Sequence, residues 1–422
     1  MKNLLLMALL VFTCYGQVKF AGVIIRHGAR SPLQTVPLLS HRMKWPRGLG
    51  QLSPSGQRQL YLFGRELRKK YIEEEKLLPK VYNSSTLYAR STYYHRTAMS
   101  TQSLLFGLYP DSTSKLKENQ LEKKEIWNPP MELHLPPYIT KGLKDSGIPY
   151  DASSIPVRTF TAQNERLLTF SSCPVYNQFR KSFYNNSNSK FKEIYEKYKD
   201  TFLTACKEVN INCEDVAGSE VFNFVDYLIA AEFDGQAPEL TAIKGMPEEL
   251  LKFYTELMIG ELTMDTIMQN IALHEFSKVF PALFENSTKD GYKMVVLGTH
   301  DSTILAYMLA LKRKDELNNT IPYAANIIVE LRKEGNDEFV KLIYNGVTII
   351  NELKEKFNKQ IKEIGTIDNW NETCALRNLN DQINTSRIEN NWFVICLGFF
   401  IVIGAIVVLV YNRKESYNAY TV

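Results

Sequence analysis

The stretch VIIRHGARSP, Val23 to Pro32, ends an apolar run on Arg26, His27 and Arg30. Three side chains that repel one another when charged need either ample water or an anion between them. The residues just before them read as a buried strand, VKFAGVIIR. Next, SPSGQRQLYLFGRELRKKY reads as a helix, with Ser53 as N-cap, Pro54 at the first helical position and Leu60, Phe63, Leu67 and Tyr71 on one face. TLYAR follows as a short strand, and RTAMSTQSLLFGLY as a helix stopped by Pro110.

The same grammar returns late in the chain. YKMVVLGTHDSTILAYMLALK reads as strand, sharp turn and helix, and ANIIVELRKEGNDEFVKLIYN as two strands joined at Gly335–Asn336. Between them, long helical patterns dominate, such as SKFKEIYEKYKDTFLTACKEV and PEELLKFYTELMIGELTMDTIMQNIALHEFSKVF. The expected organisation is a discontinuous α/β domain, residues 17–110 and 286–390, interrupted by a mainly helical insertion over 111–285.

Three strand ends carry the polar residues: Arg26, His27 and Arg30 after the first, Arg90 after the second, His300 and Asp301 after a third. Ligands of open α/β sheets bind outside the carboxyl ends of strands, where helix N-termini aim N–H groups at anions. Converging these turns would assemble three arginines, two histidines and a carboxylate, and phosphate is the oxyanion such a set suits. An isolated arginine at a strand end is ordinarily a solvated charge; the combination carries the reading.

RHGARSP resembles the RHGxRxP signature of the histidine phosphatase superfamily, in its histidine acid phosphatase branch. THDSTILAYMLAL is similar to that branch's His-Asp motif, and ARSTYYHRTAMST to its phosphate-arginine segment. The resemblance runs from Lys19 to about Asn345. It implies a phosphoglycerate-mutase-like sheet flanked by helices, and an acid phosphatase acting on phosphate monoesters through a phosphohistidine. His27 would be the nucleophile, Asp301 the proton donor, and Arg26, Arg30, Arg90 and His300 the phosphate-binding groups. No metal or cofactor is implied, and the chain has no HExxH or CxxC pattern. Tyr93 and His95 stand where the family usually has acidic residues, which bears on specificity and pH profile. Phytase or lysophosphatidate phosphatase activity is the alternative within the family, and a silent surface receptor or adhesion glycoprotein the alternative outside it. A homodimer is compatible with the resemblance.

The ends suggest a destination. Met1 to Gly16 reads as a secretory signal, and Trp392 to Tyr411 as one transmembrane helix followed by Arg413 and Lys414, so residues 412–422 would be a cytoplasmic tail. A type I protein of the lysosome, vacuole or cell surface is expected. Sequons at Asn83, Asn185, Asn286, Asn318, Asn371 and Asn384 all fall in the body. Once Cys14 leaves with the signal and Cys396 enters the membrane, Cys173, Cys206, Cys213 and Cys374 remain. Proximity favours a Cys206–Cys213 disulfide, leaving Cys173–Cys374. A net charge of +4 over 422 residues gives no case for nucleic acid.

Overall fold

The computed structural model describes residues 16–375, apart from 37–43, 111–114, 123–137, 139–141, 149–153, 186–187, 215, 217, 288, 290 and 319. The signal segment up to residue 15, the 392–411 span, the tail and Asn384 lie outside the described residues. Among the described residues no helix is long and apolar enough to cross a membrane.

Seven strands form one mixed sheet: β1 (Gln17–Arg26), β2 (Leu87–Ser91), β3 (Arg158–Thr159), β4 (Met294–Thr299), β5 (Asn326–Glu334), β6 (Asp337–Tyr344) and β7 (Val347–Leu353), ordered β3-β2-β4-β1-β5-β6-β7. β1 to β4 run parallel to their neighbours, whereas β5, β6 and β7 add antiparallel to the far side of β1. The first strand is therefore central, paired with two strands from the other end of the chain. Its alternation serves two layers. Val23 and Ile25 face a core shared with Leu60, Leu104 and Leu108, whereas Phe20 meets Phe284 edge-on at 5.8 Å.

Helices α1 (Pro54–Arg68) and α2 (His95–Leu108) form the first layer. Ser53 caps α1 by accepting the Gly56 N–H at 3.1 Å, as its sequence leads one to expect. Within the long central segment lie α3 (Pro174–Phe183), α4 (Ser189–Glu208), α5 (Ser219–Phe233), α6 (Met246–Leu262) and α7 (Ile267–Ser287). The last long helical pattern breaks into two, because the Thr263 N–H closes α6 on the Ile259 carbonyl and Asp265 caps the Ile267 N–H. α8 (Asp301–Ala310) and α9 (Lys354–Gly365) complete the helices used below.

Not all of 111–285 stands apart from the sheet: β3 pairs with β2, and Phe280 of α7 packs so closely on β1 that a Cβ at Gly22 would lie 2.5 Å from its ring. Met1–Asp368 and Asn369–Val422 are two compact units. β7 was not expected from the sequence, although Asn345–Gly346, with φ of 45° and 86°, is the turn that forms its hairpin. Cys206 and Cys213 are joined, with Cα atoms 6.2 Å apart, and Cys173 and Cys374 are each disulfide-bonded as well. The five sequon asparagines among the described residues are all exposed.

Candidate active site

Register brings the chemistry together. Arg26 pairs with Thr299, and Ser91 with Gly298, so β1, β2 and β4 end side by side. The His27 N–H then donates to the Thr299 carbonyl at 3.0 Å, and the Thr92 N–H to the Gly298 carbonyl at 3.0 Å. After His27 the chain turns against the first turn of α1. A Cβ at Gly28 would lie 2.4 Å from the Gly56 carbonyl oxygen, so only glycine admits this approach. The Gly28 N–H donates to Ser100 Oγ at 3.0 Å, which fixes the turn to α2.

His27 is buried, and its Nδ1 lies 2.9 Å from the Gly28 carbonyl. A carbonyl only accepts, so Nδ1 carries the proton and Nε2 keeps its lone pair. Burial, reinforced by the Arg96, Arg30 and Arg26 charges, holds His27 well below the usual histidine value. The imidazole therefore stays neutral below the pH at which a free histidine protonates.

Asp301 opens α8 and is buried. Its Oδ2 takes the Arg26 guanidinium at 2.7 Å and the Tyr254 hydroxyl at 3.4 Å, and its Oδ1 the Ser302 N–H at 2.8 Å. Burial alone would raise its pKa, but the Arg26 and Arg30 charges outweigh that and leave it lowered. Arg26 also donates to the Ile321 carbonyl and lies 4.4 Å over the Tyr323 ring. Arg30 is gripped by Asp226 of α5 in a fork, at 2.7 and 3.1 Å. His300 lies between Thr92, 3.1 Å from Nε2, and Arg96, 3.4 Å from Nδ1. Arginine only donates, so the proton of His300 sits on Nε2. Burial, then Arg96, brings its pKa down to about 3.

His27, Arg30, His300 and Asp301 line one cavity of about 140 Å³; Arg26 stands behind Asp301. Arg90 does not line it. Its Nε and terminal nitrogen clasp Glu165 at 3.0 and 2.7 Å, and it stacks 4.2 Å over Phe160. Glu165 also accepts the Leu167 and Leu168 N–H groups, so Arg90 secures a loop. The guanidinium that lines the cavity beside Arg30 is Arg96, not expected from the sequence, with burial and then Arg30 bringing its pKa down to about 10. Arg26, Arg30 and Arg96 share a further trait: the Nε of each is buried without a hydrogen-bond partner.

Residues 17–345 match the family model of the histidine phosphatase superfamily (branch 2). The chain belongs to this superfamily. It is a histidine phosphatase with relatives among acid phosphatases: testicular acid phosphatase of Mus musculus is 27% identical over 79% of this chain and 74% of its own. Lysosomal acid phosphatase of Xenopus laevis is 27% identical over 78% of this chain and 69% of its own. The fold is similar to that of a Citrobacter braakii phytase, with a TM-score of 0.58 at 14% identity, covering 85% of this chain and 100% of that one. In this histidine phosphatase it is thus Arg96, and not Arg90, that lines the cavity with Arg30. A signal for it existed: His95 and Arg96 begin α2 with no acidic residue in the first turn. A cation there opposes the helix dipole unless an anion sits nearby.

Proposed function

We propose that the protein hydrolyses phosphate monoesters at acidic pH through a covalent phosphohistidine. The observation that carries this is a neutral, buried His27 facing the cavity beside buried guanidiniums whose Nε donors have no partner. Unpaired buried donors are costly, and a phosphate's oxygens satisfy them.

Substrate phosphate lies between Arg30 and Arg96, with Arg26 behind Asp301 and His300 holding the Arg96 guanidinium on the same wall. Nε2 of His27 attacks phosphorus, a P–N bond forms, and the P–O bond to the leaving alcohol breaks. The arginines spread the charge that develops on the non-bridging oxygens. Asp301 gives its proton to the departing oxygen, so that an alcohol leaves instead of an alkoxide. Unliganded, Asp301 is held ionised by Arg26 and Arg30; a bound phosphate offsets those charges and raises the carboxyl toward protonation. Water then attacks the phosphohistidine, Asp301 takes its proton, and phosphate and neutral His27 are regenerated. His27 does not protonate until well below its usual value, so the low-pH limb of activity is not set at about 6.5.

The setting we propose is a type I membrane glycoprotein of an acidic compartment or the cell surface, cleaved after Gly16, anchored by 392–411, glycosylated on the six asparagines and closed by Cys173–Cys374. The apolar 392–411 stretch and the lysosomal relative support this reading. The test is rapid acid-free quench with a radiolabelled monoester. Label retained on His27 in the wild type and absent in His27→Ala is the expected result; turnover by His27→Ala would overturn the mechanism.

A further inference from the structure

The cavity has a second half that phosphate transfer does not use. Arg180 of α3 lines it together with Glu261 and Tyr254 of α6, Tyr176, Asn177 and Ser171. Its side chain is 48% exposed, against 1% for Arg30, so it stands nearer the mouth. Glu261 is buried, accepts the Tyr176 hydroxyl at 2.9 Å and meets Arg180 Nε at 3.5 Å. The shortest contact runs through Nε. The Phe222 ring lies 5.9 Å from the same guanidinium. Arg180 is thus a half-exposed cation on the cavity wall whose shortest contact with its carboxylate leaves from Nε.

Resting on the phosphatase reading, we propose that Arg180, held by Glu261, is a second anion subsite that selects monoesters whose leaving group carries a carboxylate. Charge balance separates a carboxylate from a second phosphate. Around His27 three guanidiniums face two carboxylates, Asp301 and Asp226, a surplus suited to a phosphate. Around Arg180 one guanidinium faces one carboxylate, which suits a monoanion with a planar face. The position fits a leaving group, because α6 carries both partners. Tyr254 touches Asp301, the proton donor to the leaving oxygen, and Glu261 sits seven residues along the same helix, about 10 Å by helical rise. A leaving group protonated by Asp301 therefore extends toward Arg180.

The experiment compares kcat/KM of the full chain for glycerol 3-phosphate, 3-phosphoglycerate and glycerol 1,3-bisphosphate at one acidic pH. All three release a primary alcohol, so leaving-group chemistry is matched. The expected wild-type preference for 3-phosphoglycerate over glycerol 3-phosphate is about ten- to a hundredfold, the scale of one charge-assisted contact. Arg180→Ala should erase that ratio and Arg180→Lys retain part of it. If Arg180 only neutralises Glu261, the ratio will not move even where stability falls, and the proposal is overturned. Equal wild-type values for the first two esters overturn it without any variant, which covers the case that Arg180→Ala does not fold. A preference for the bisphosphate over 3-phosphoglycerate overturns the choice of carboxylate. Hydrolysis of glycerol 3-phosphate in any of these cases leaves the phosphatase reading standing; its absence with all three esters sinks that reading and the subsite with it.

Discussion

At the N-terminal end of β1, Glu330 accepts Lys70 at 2.5 Å, the Tyr71 hydroxyl at 2.5 Å and Arg332 Nε at 2.8 Å. Arg332 spends its other nitrogens on Glu75 at 2.6 Å and the Gly16 carbonyl at 2.8 Å. Two cations meet two carboxylates there, and Arg332 spends Nε and one terminal nitrogen on them. At the opposite end of the same strand, three guanidiniums meet two carboxylates, and each keeps a buried Nε without a partner. Both clusters pair cations with carboxylates, the lower one less deeply buried, with Lys70 32% and Glu75 24% exposed. The difference teaches that a balanced cluster supports the fold, whereas an incompletely satisfied one is kept for a ligand.

The contrast can be broken first at its centre. His27→Ala should lower turnover by roughly 10⁴–10⁶-fold, the scale of losing a covalent nucleophile, with the fold intact by circular dichroism. Residual turnover near wild type would make the upper cluster structural after all. Next comes Asp301→Asn, which should cost an alkyl phosphate about 10²–10⁴-fold and a nitrophenyl phosphate far less, since the latter's leaving group needs no proton. Equal losses in steady-state assays would remove Asp301 from the acid role.

Arg96 and Arg90 sharpen the comparison within six residues. Arg96→Ala should cost about 10²–10³-fold in kcat/KM, as for removal of one transition-state donor. Arg90→Ala should instead destabilise by about 3 kcal/mol, because buried Glu165 loses its guanidinium, with activity of the folded fraction within roughly tenfold of wild type. Denaturant melts and kinetics on the same samples separate the two; the reverse pattern would restore Arg90 to the site. The smallest effect belongs to the lower cluster. Burial raises the Glu330 pKa, but Lys70 and its hydrogen bonds outweigh that and leave it lowered. A depressed carboxyl contributes stability above its unfolded value of about 4.3, lost as pH falls through the folded value. Glu330→Gln should therefore weaken the protein near neutrality and flatten its loss of stability below about pH 4, without changing the pH dependence of activity. A parallel shift of the whole stability curve would show that its charge does not matter.

The meeting of His27 and Asp301 was legible because their motifs end strands that pair in register, and a strand end is a local pattern. Arg90 also lies near a strand end, yet it does not line the cavity. Its position two residues after half-exposed Tyr88, on the face opposite Leu87 and Ala89, was the clue that it points away from the packed side. Asp226 and Glu261 were out of reach for another reason. Each is one of several carboxylates on its helix, beside Glu220 and Glu232 on α5 or Glu248, Glu249 and Glu256 on α6, and only tertiary packing reveals that its partner is Arg30 or Arg180. β3 has two residues, too few for any period to register. β7 was signalled by Asn345–Gly346 and simply not read.

The central place of β1 has a consequence for synthesis. Its hydrogen-bonding partners, β4 and β5, begin at Met294 and Asn326, so on the ribosome this apolar strand emerges long before either neighbour exists. At translation speeds of about 5–20 residues per second, the wait is on the order of 15–50 s. During that interval both edges of β1 are exposed to pairing with other chains, and the newborn protein depends on chaperone cover. A nascent chain released before Met294 carries RHGARSP yet has no Thr299 to position His27. The cavity can therefore assemble only after most of the polypeptide has been made.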